Sequence, residues 1–449
     1  MKALAWLLVL SFATRAHAQS LAIEIDVVGE HTMTSGDTLD SARALARVDA
    51  QRRAWREAAT RLESRADVKA LRLTPVQIEA FTAVLLELDE QASSTASAIT
   101  RGPVQVRLRG RLDGGAVVQR IAQLRKDQDA TYDLTDAWSE MQQLHRQLAS
   151  ETQRRADMAN DKATALVEIQ VATIVTLDAK LLSARASAAL ARTEPSAVGG
   201  RASSSEGRQQ ARRLAQAALA LSPGSPDAHD VMGDLELDGL EPEAAEAEFR
   251  KALAVEAESS PRRTKLAEAL RLQGKFDEAV AELREALRID PSSARARNGL
   301  GLALRGQDNL TEAIAEYREA LRLDPDLIDA HNGLAVVLAG QGRLEDAVSE
   351  FREIVRIDPD SAIGYYNLAY ALADLDRDVE SAAALREVIR INPNHYNARY
   401  NLGELFRLEA KYDDSVKQFR EYLRLAPDTP QNRRNIERAK GFVAKFSDQ

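Results

Sequence analysis

Cysteine is missing from all 449 residues. Its absence excludes disulfides, thiolate metal sites and attachment through a lipid-modified N-terminal cysteine. Aromatic residues are few, at 5 % of the chain, so aliphatic side chains and alanine must build most of the core. The six histidines show no ligand spacing and no HExxH. Neither a Walker-type phosphate loop nor GxSxG occurs, and the glycine-rich run NGLGLALRG at 298–306 has the pattern of a helix crossing rather than a nucleotide loop. No catalytic, cofactor-binding or metal-binding residues are therefore expected, and no cofactor. Positive charge is in deficit: 60 Lys and Arg face 69 Asp and Glu, a net charge of -9, which argues against a nucleic-acid partner. Beyond the N-terminus no apolar run is long enough for a transmembrane helix.

The chain's dominant feature is a block written six times between residues 226 and 427. Pro291, Pro325, Pro359, Pro393 and Pro427 stand 34 residues apart, the period of a helix–turn–helix array. Two helices can cross closely only where side chains are small. Gly233, Ala267, Gly301, Ala335, Ala369 and Gly403 recur at one such point; Ala245, Ala279, Ala313, Ala347, Ser381 and Ser415 recur at the other. Large apolar residues such as Phe249, Tyr317, Phe351 and Phe419 fill the space between. Each proline lacks an N–H and ends its second helix; only the first block departs, with Ala257 in place of proline. No block can bury its apolar face alone, so the fold class expected is mainly α, a solenoid of stacked pairs.

These blocks resemble the tetratricopeptide repeat (TPR) family. The resemblance implies a binding scaffold whose first helices line a concave groove. Groove positions read Asn298 and Asn332 in the middle blocks, with Arg271, Arg295 and Arg305 nearby, and Tyr366, Asn367, Tyr370, Tyr400, Asn401 and Arg407 in the last two. Asparagine matches both polar groups of a peptide backbone, and tyrosine adds flat contact area. A protein or peptide partner is therefore expected there, with packing between repeats as the alternative role for the tyrosines. The clamp that some family members use for a C-terminal carboxylate is incomplete. His229 and His331 share one repeat position and are expected to pack, as an aromatic residue does there in the family. The second helices carry Arg288, Arg322, Arg356, Arg390 and Arg424 interleaved with glutamates, as a solvated convex face would.

Around the array the chain divides further. Residues 1–18 have the pattern of a cleaved signal peptide: Lys2, an apolar run, then Ala16-His17-Ala18. A soluble periplasmic protein, not a lipoprotein, is expected. Residues 19–127 read as a small α/β domain. LAIEIDVV and VQVRLRGRL alternate as strands with opposite charges on their outer faces, and Ala42, Ala46, Ala50, Ala54, Ala58 and Leu62 form a helix stripe after a cap at Asp37 or Thr38. A second helix follows Asp113-Gly114-Gly115. The order resembles the small N-terminal domain of bacterial envelope and flagellar assembly proteins.

Residues 128–192 read as long helices, with Leu134, Trp138, Met141, Leu144 and Leu148 as a stripe for a partner helix or a homo-oligomer contact. The stretch 166–177 is rich in β-branched residues; helix is expected, with strand as the alternative. Residues 193–207 read as a Gly/Ser-rich linker, 208–225 as the second helix of a degenerate half repeat, and 428–449 as a capping helix. The expected function is a non-enzymatic periplasmic scaffold or adaptor that binds an extended protein segment. One alternative is a structural cell-envelope component that works through its N-terminal domain with the repeats as spacer. The repeats also resemble those of O-linked sugar transferases; such enzymes carry a large transferase domain after them, whereas here only 428–449 follow, so that likeness is expected to stop at the repeats.

Overall fold

The computed structural model describes residues 22–33, 37–91, 103–126, 128–156, 160–191, 194–195, 201–202 and 205–446. The expected signal peptide and most of the expected linker lie outside them. The chain forms two compact units, Met1–Thr193 with Ser203–Leu235, and Glu194–Ala202 with Glu236–Gln449.

In the first unit, strands β1 (Ala22–His31), β2 (Leu88–Gln91) and β3 (Val104–Asp113) make an antiparallel sheet in the order β1-β3-β2. Ile23, Ile25 and Val27 turn inward, while Asp26 pairs with Arg107 and Arg109 on the outer face. Helix α1 (Leu39–Glu63) starts at Thr38, whose hydroxyl accepts from the Ser41 amide at 3.1 Å. Its alanine stripe is fully buried, and the helix lies so close that a Cβ on Gly29 would meet the Ala46 carbonyl at 2.0 Å. Strand β2 and the helices α2 (Ala66–Ala70) and α3 (Pro75–Leu85) are additions to the strand–helix–strand–helix order read from sequence. A signal for α3 was present: Thr74 and Gln77 form a reciprocal capping box around Pro75.

Helices α4 (Gly114–Lys126), α5 (Gln128–Ala156) and α6 (Asn160–Leu190) follow. Residues 166–177 are helical. The α5 stripe is used inside the unit: Leu134, Trp138, Met141 and Leu148 join one core with α1, α3 and α6. Trp138 meets Trp55 edge-on at 5.5 Å and donates to Glu79 at 3.2 Å. The face expected to support a homo-oligomer is thus already covered. Helix α6 is the unit's spine. Arg47 pairs with its Asp178 at 2.8 Å, its Arg185 donates to the Leu86 carbonyl, and Arg120 donates to the Ala188 carbonyl.

The end of α6 also corrects the reading of a half repeat. Ala186 and Ala189 pack against Ala211 and Ala215 of α7 (Ser205–Leu221), together with Val231 and Leu235 of α8 (Pro226–Asp238). The missing first helix is the end of α6, separated from α7 by a connection longer than a repeat turn. Lys180 seals the junction between Glu140 at 2.5 Å and Asp227 at 2.6 Å. Sheet, long helices and α8 therefore form one unit, where the sequence had suggested boundaries at 127/128 and 192/193.

His145 is buried in this core, its Nδ1 donating to the Met141 carbonyl at 2.7 Å and its ring edge-on to Trp55. Burial pushes its pKa down to about 4. The unfolded imidazole, near 6.5, then binds the proton that the folded one refuses, so stability falls as pH drops from about 6.5 to 4. This group contributes at most about 3 kcal/mol. Thermal melts of His145→Gln are expected to lose less stability than wild type across that window; equal slopes would show that His145 titrates normally.

The second unit stacks helix pairs: α9 (Pro242–Val255); α10 (Ser260–Leu272) with α11 (Phe276–Ile289); α12 (Ala294–Gly306) with α13 (Leu310–Leu323); α14 (Ile328–Gly340) with α15 (Leu344–Ile357); α16 (Ala362–Ala373) with α17 (Asp378–Ile391); and α18 (Tyr396–Leu408) with α19 (Tyr412–Leu425). Helix α20 (Pro430–Phe446) covers the last pair, setting Ala439 and Phe442 against Phe419 and Tyr422. Tyr317 is fully buried between two glycines: a Cβ on Gly301 would stand 2.7 Å from its ring, and one on Gly333 2.5 Å. In the last two pairs the small residue is serine, and Ser381 and Ser415 donate to the Ala369 and Gly403 carbonyls at 2.8 Å. Within each pair the turn holds one left-handed residue, at Gly274, Asp308, Gly342, Asp376 and Ala410. On the second helices each expected arginine pairs three residues back, as Arg288 does with Glu285 and Arg424 with Glu421. Gly301→Ala must displace the Tyr317 ring and is expected to cost about 1–3 kcal/mol in urea unfolding. A parental midpoint would mean that α12 and α13 do not cross there.

Candidate functional site

Successive first helices come close to one another, α10 with α12 and α12 with α14, so they form the inner side of the second unit. Their residues facing away from the second helices make its available surface. On α14 and α16 that surface holds a side-chain pair, with the Asn367 Nδ2 donating to the Asn332 Oδ1 at 3.1 Å. One pair later the Asn401 Nδ2 donates to the Tyr366 hydroxyl at 3.2 Å. All four residues are half-buried. The Tyr366 ring lies against His395, 4.8 Å between centroids. His395 is fixed in turn, its Nδ1 accepting from the Ala398 amide at the start of α18, and burial lowers its pKa, which keeps it neutral.

Each pair leaves hydrogen-bonding capacity unused. Asn332 keeps an NH2 group and Asn367 a carbonyl oxygen; Tyr366 keeps its O–H and Asn401 its carbonyl oxygen. One donor and one acceptor per repeat is the complement of one peptide unit. Beside these groups stands exposed apolar surface: Tyr370 at 63 %, with Val336 and Ile363 also exposed. Val336 and Ile363 were missed in the sequence reading. Val336 was detectable there, because it precedes Tyr370 by one period of 34.

The remaining expected residues fall elsewhere. Tyr400 is buried, its ring 5.7 Å from Phe419 and 5.0 Å from Tyr422; it is a core side chain that bridges the last pair to α20. Asn298 is buried as well and offers no open contact. Arg407 is held by Glu404 at 3.0 Å, and Arg271 is bound through two nitrogens to Glu268, so neither presents a bare charge. His331 is buried as expected but bonds rather than merely packs: Nδ1 lies 2.6 Å from Glu350 and Nε2 3.0 Å from the Pro325 carbonyl. Among the described residues no three His, Asp or Glu side chains converge as metal ligands, and no helix is long and apolar enough to cross a membrane.

Tyr370 and Tyr400 should therefore separate in stability measurements. Tyr370→Ala is expected to melt like the parent, while Tyr400→Ala empties a packed site and should cost about 2–5 kcal/mol. Similar behaviour of the two would contradict their different burial.

Residues 264–328 and 366–430 match one Tetratricopeptide repeat model, and residues 304–377 match a second. No curated protein sequence matches the chain. Among solved structures, YrrB, described as a TPR protein with an unusual peptide-binding site, is 22 % identical over 40 % of this chain and 93 % of its own, with a TM-score of 0.35. Pseudomonas aeruginosa pilF is 22 % identical over 41 % and 85 %, with a TM-score of 0.35. A tetratricopeptide repeat protein from Parabacteroides merdae is 14 % identical over 53 % and 91 %, with a TM-score of 0.38. The matched range begins only after the N-terminal domain, whose resemblance to envelope assembly domains is not shown by these matches, and no enzymatic family is indicated. From residue 264 to residue 430, the chain carries tetratricopeptide repeats.

Proposed function

We propose that this protein is a non-enzymatic scaffold whose inner repeat face, from α14 to α18, receives an extended segment of a protein partner. Tetratricopeptide repeats are in general protein-interaction scaffolds. The observation that carries the finer reading is the pairing of Asn367 with Asn332 and of Asn401 with Tyr366. Each pair has spare capacity for one backbone donor and one backbone acceptor, beside the exposed ring of Tyr370. The N-terminal leader pattern supports the further proposal that the scaffold works in the periplasm after export.

The test is selection of binders from a random linear peptide library on the full chain, followed by affinity measurement on variants that melt normally. Tyr370→Ala and Asn367→Ala are each expected to weaken the selected peptides by about fivefold or more, since an anchoring aromatic at an interface is commonly worth over 1 kcal/mol. If both variants bind unchanged while Arg271→Ala with Arg305→Ala abolishes binding, the site lies in the middle pairs. Failure to select any linear peptide would overturn the extended-segment reading.

A further inference from the structure

At the position that His331 has in α14, helices α10, α12 and α18 carry arginine, α8 carries His229, whose Nε2 lies 3.2 Å from the Pro223 carbonyl, and α16 carries Tyr365. Arg263 on α10 donates to the Ala257 carbonyl, six residues before it, at 3.0 Å and to Glu282, nineteen residues after it, at 2.6 Å. Arg399 on α18 donates to the Pro393 carbonyl at 2.9 Å and reaches Gln418 at 3.5 Å. Arg297 on α12 donates to Glu316 at 2.9 Å. In its fullest form this staple ties the start of a first helix to the turn before it and to the second helix of its own pair. His331 spans the same two directions, toward the Pro325 carbonyl and the Glu350 carboxylate.

The chemistry of that substitution is restrictive. A carbonyl and a carboxylate only accept, so both ring nitrogens must donate, and only the imidazolium has two N–H groups. A neutral ring satisfies one acceptor and turns a lone pair toward the other. At 7 % exposure, His331 has little water available to take the lost place. Helix α15 brings Glu350 and Glu353 toward the ring. The preceding turn brings Asp324 and Asp326, with Asp326 held by Arg356, which also pairs with Glu353. From α12 and α13, at the corresponding end, come Arg297 and Glu316, already paired with each other.

We propose that His331 is a proton-operated staple in the middle of the repeat array: charged, it fixes α14 to both the preceding turn and α15, and on losing its proton it releases one of them. Burial works against the charge, but the bonds to Glu350 and to the Pro325 carbonyl outweigh it and raise the pKa. A raised folded pKa gives stabilisation that is complete below about 6.5, the unfolded value, and is lost as pH rises through the folded value. The buried His145 and His395, whose pKa values are lowered, act in the opposite direction, so the contribution of His331 is read as the difference between wild type and a variant with a permanent cation at that position.

The experiment follows urea unfolding of the full chain at pH 6 and pH 8.5 for wild type, His331→Arg and His331→Gln, with titration of the 13C-labelled histidine rings in the wild type. The wild-type midpoint is expected to fall between the two pH values by more than that of His331→Arg, whose cation is permanent. His331→Gln should be low at both. The His331 resonance, assigned by its absence in the variants, should titrate above 6.5. Equal pH dependence of wild type and His331→Arg, or titration of His331 below 6.5, would overturn the proposal. Should His331→Arg fail to fold, the ring titration alone still decides. None of these readouts involves a peptide, so their outcome is independent of the proposed partner site.

Discussion

The second unit depends on a single steric constraint, the helix crossing at which one partner has little or no side chain. Tyr317 shows how tight it is, since its ring occupies the space of two absent Cβ atoms, from its own pair and from the next. The ring thereby holds two pairs in register at once, and its hydroxyl, pressed into apolar surroundings, has its pKa pushed up to about 12. Other crossings vary the device without loosening it. Ser381 and Ser415 accept the same closeness because their hydroxyls reach a carbonyl of the first helix, so a buried polar group gains a partner rather than a penalty. With the crossings set, stacking is obligatory, and the last apolar face must be covered by something that is not a repeat. Helix α20 does this with Ala439 and Phe442 against Phe419 and Tyr422.

Period and residue size made this part of the fold legible. The prolines locate the turns between successive pairs of the matched range, and the small residues locate the crossings, because both requirements are local and recur every 34 residues. The first unit was less legible, since its contacts run across long distances in sequence. Its alanine stripe and the opposite charges on β1 and β3 were readable, whereas β2 and α3 were overlooked despite the capping box at Thr74. Most hidden was the double role of α6. Its end supplies Ala186 and Ala189 to α7 as a first helix would, but the connection between them breaks the period that makes repeats visible.

The candidate site divided in the same way. Sequence placed tyrosines and asparagines on first helices, which is a statement about register, and register alone does not separate an open position from a buried one. Tyr366 and Tyr400 occupy equivalent positions one period apart. Tyr366 stays half-buried, with His395 beneath its ring and Asn401 at its hydroxyl. Tyr400 has Phe419, Tyr422 and the approaching α20 around it and becomes core. What comes next in the chain decides exposure, and a capping helix lies outside the period.

The staples show the complementary lesson, that chemistry can change where register is kept. Arg263, His331 and Arg399 reach the same carbonyl six residues back, and Arg263 and His331 the same carboxylate nineteen residues on. For an arginine these bonds carry no condition, because its guanidinium keeps its charge and offers five donors. For the histidine they carry one, that a second proton be bound. A scaffold made of near-identical pairs would otherwise respond to its surroundings uniformly along its length. Placing a conditional cation at α14, next to Asn332 on the inner face, gives that pair a dependence that Arg263 and Arg399 do not bring to theirs.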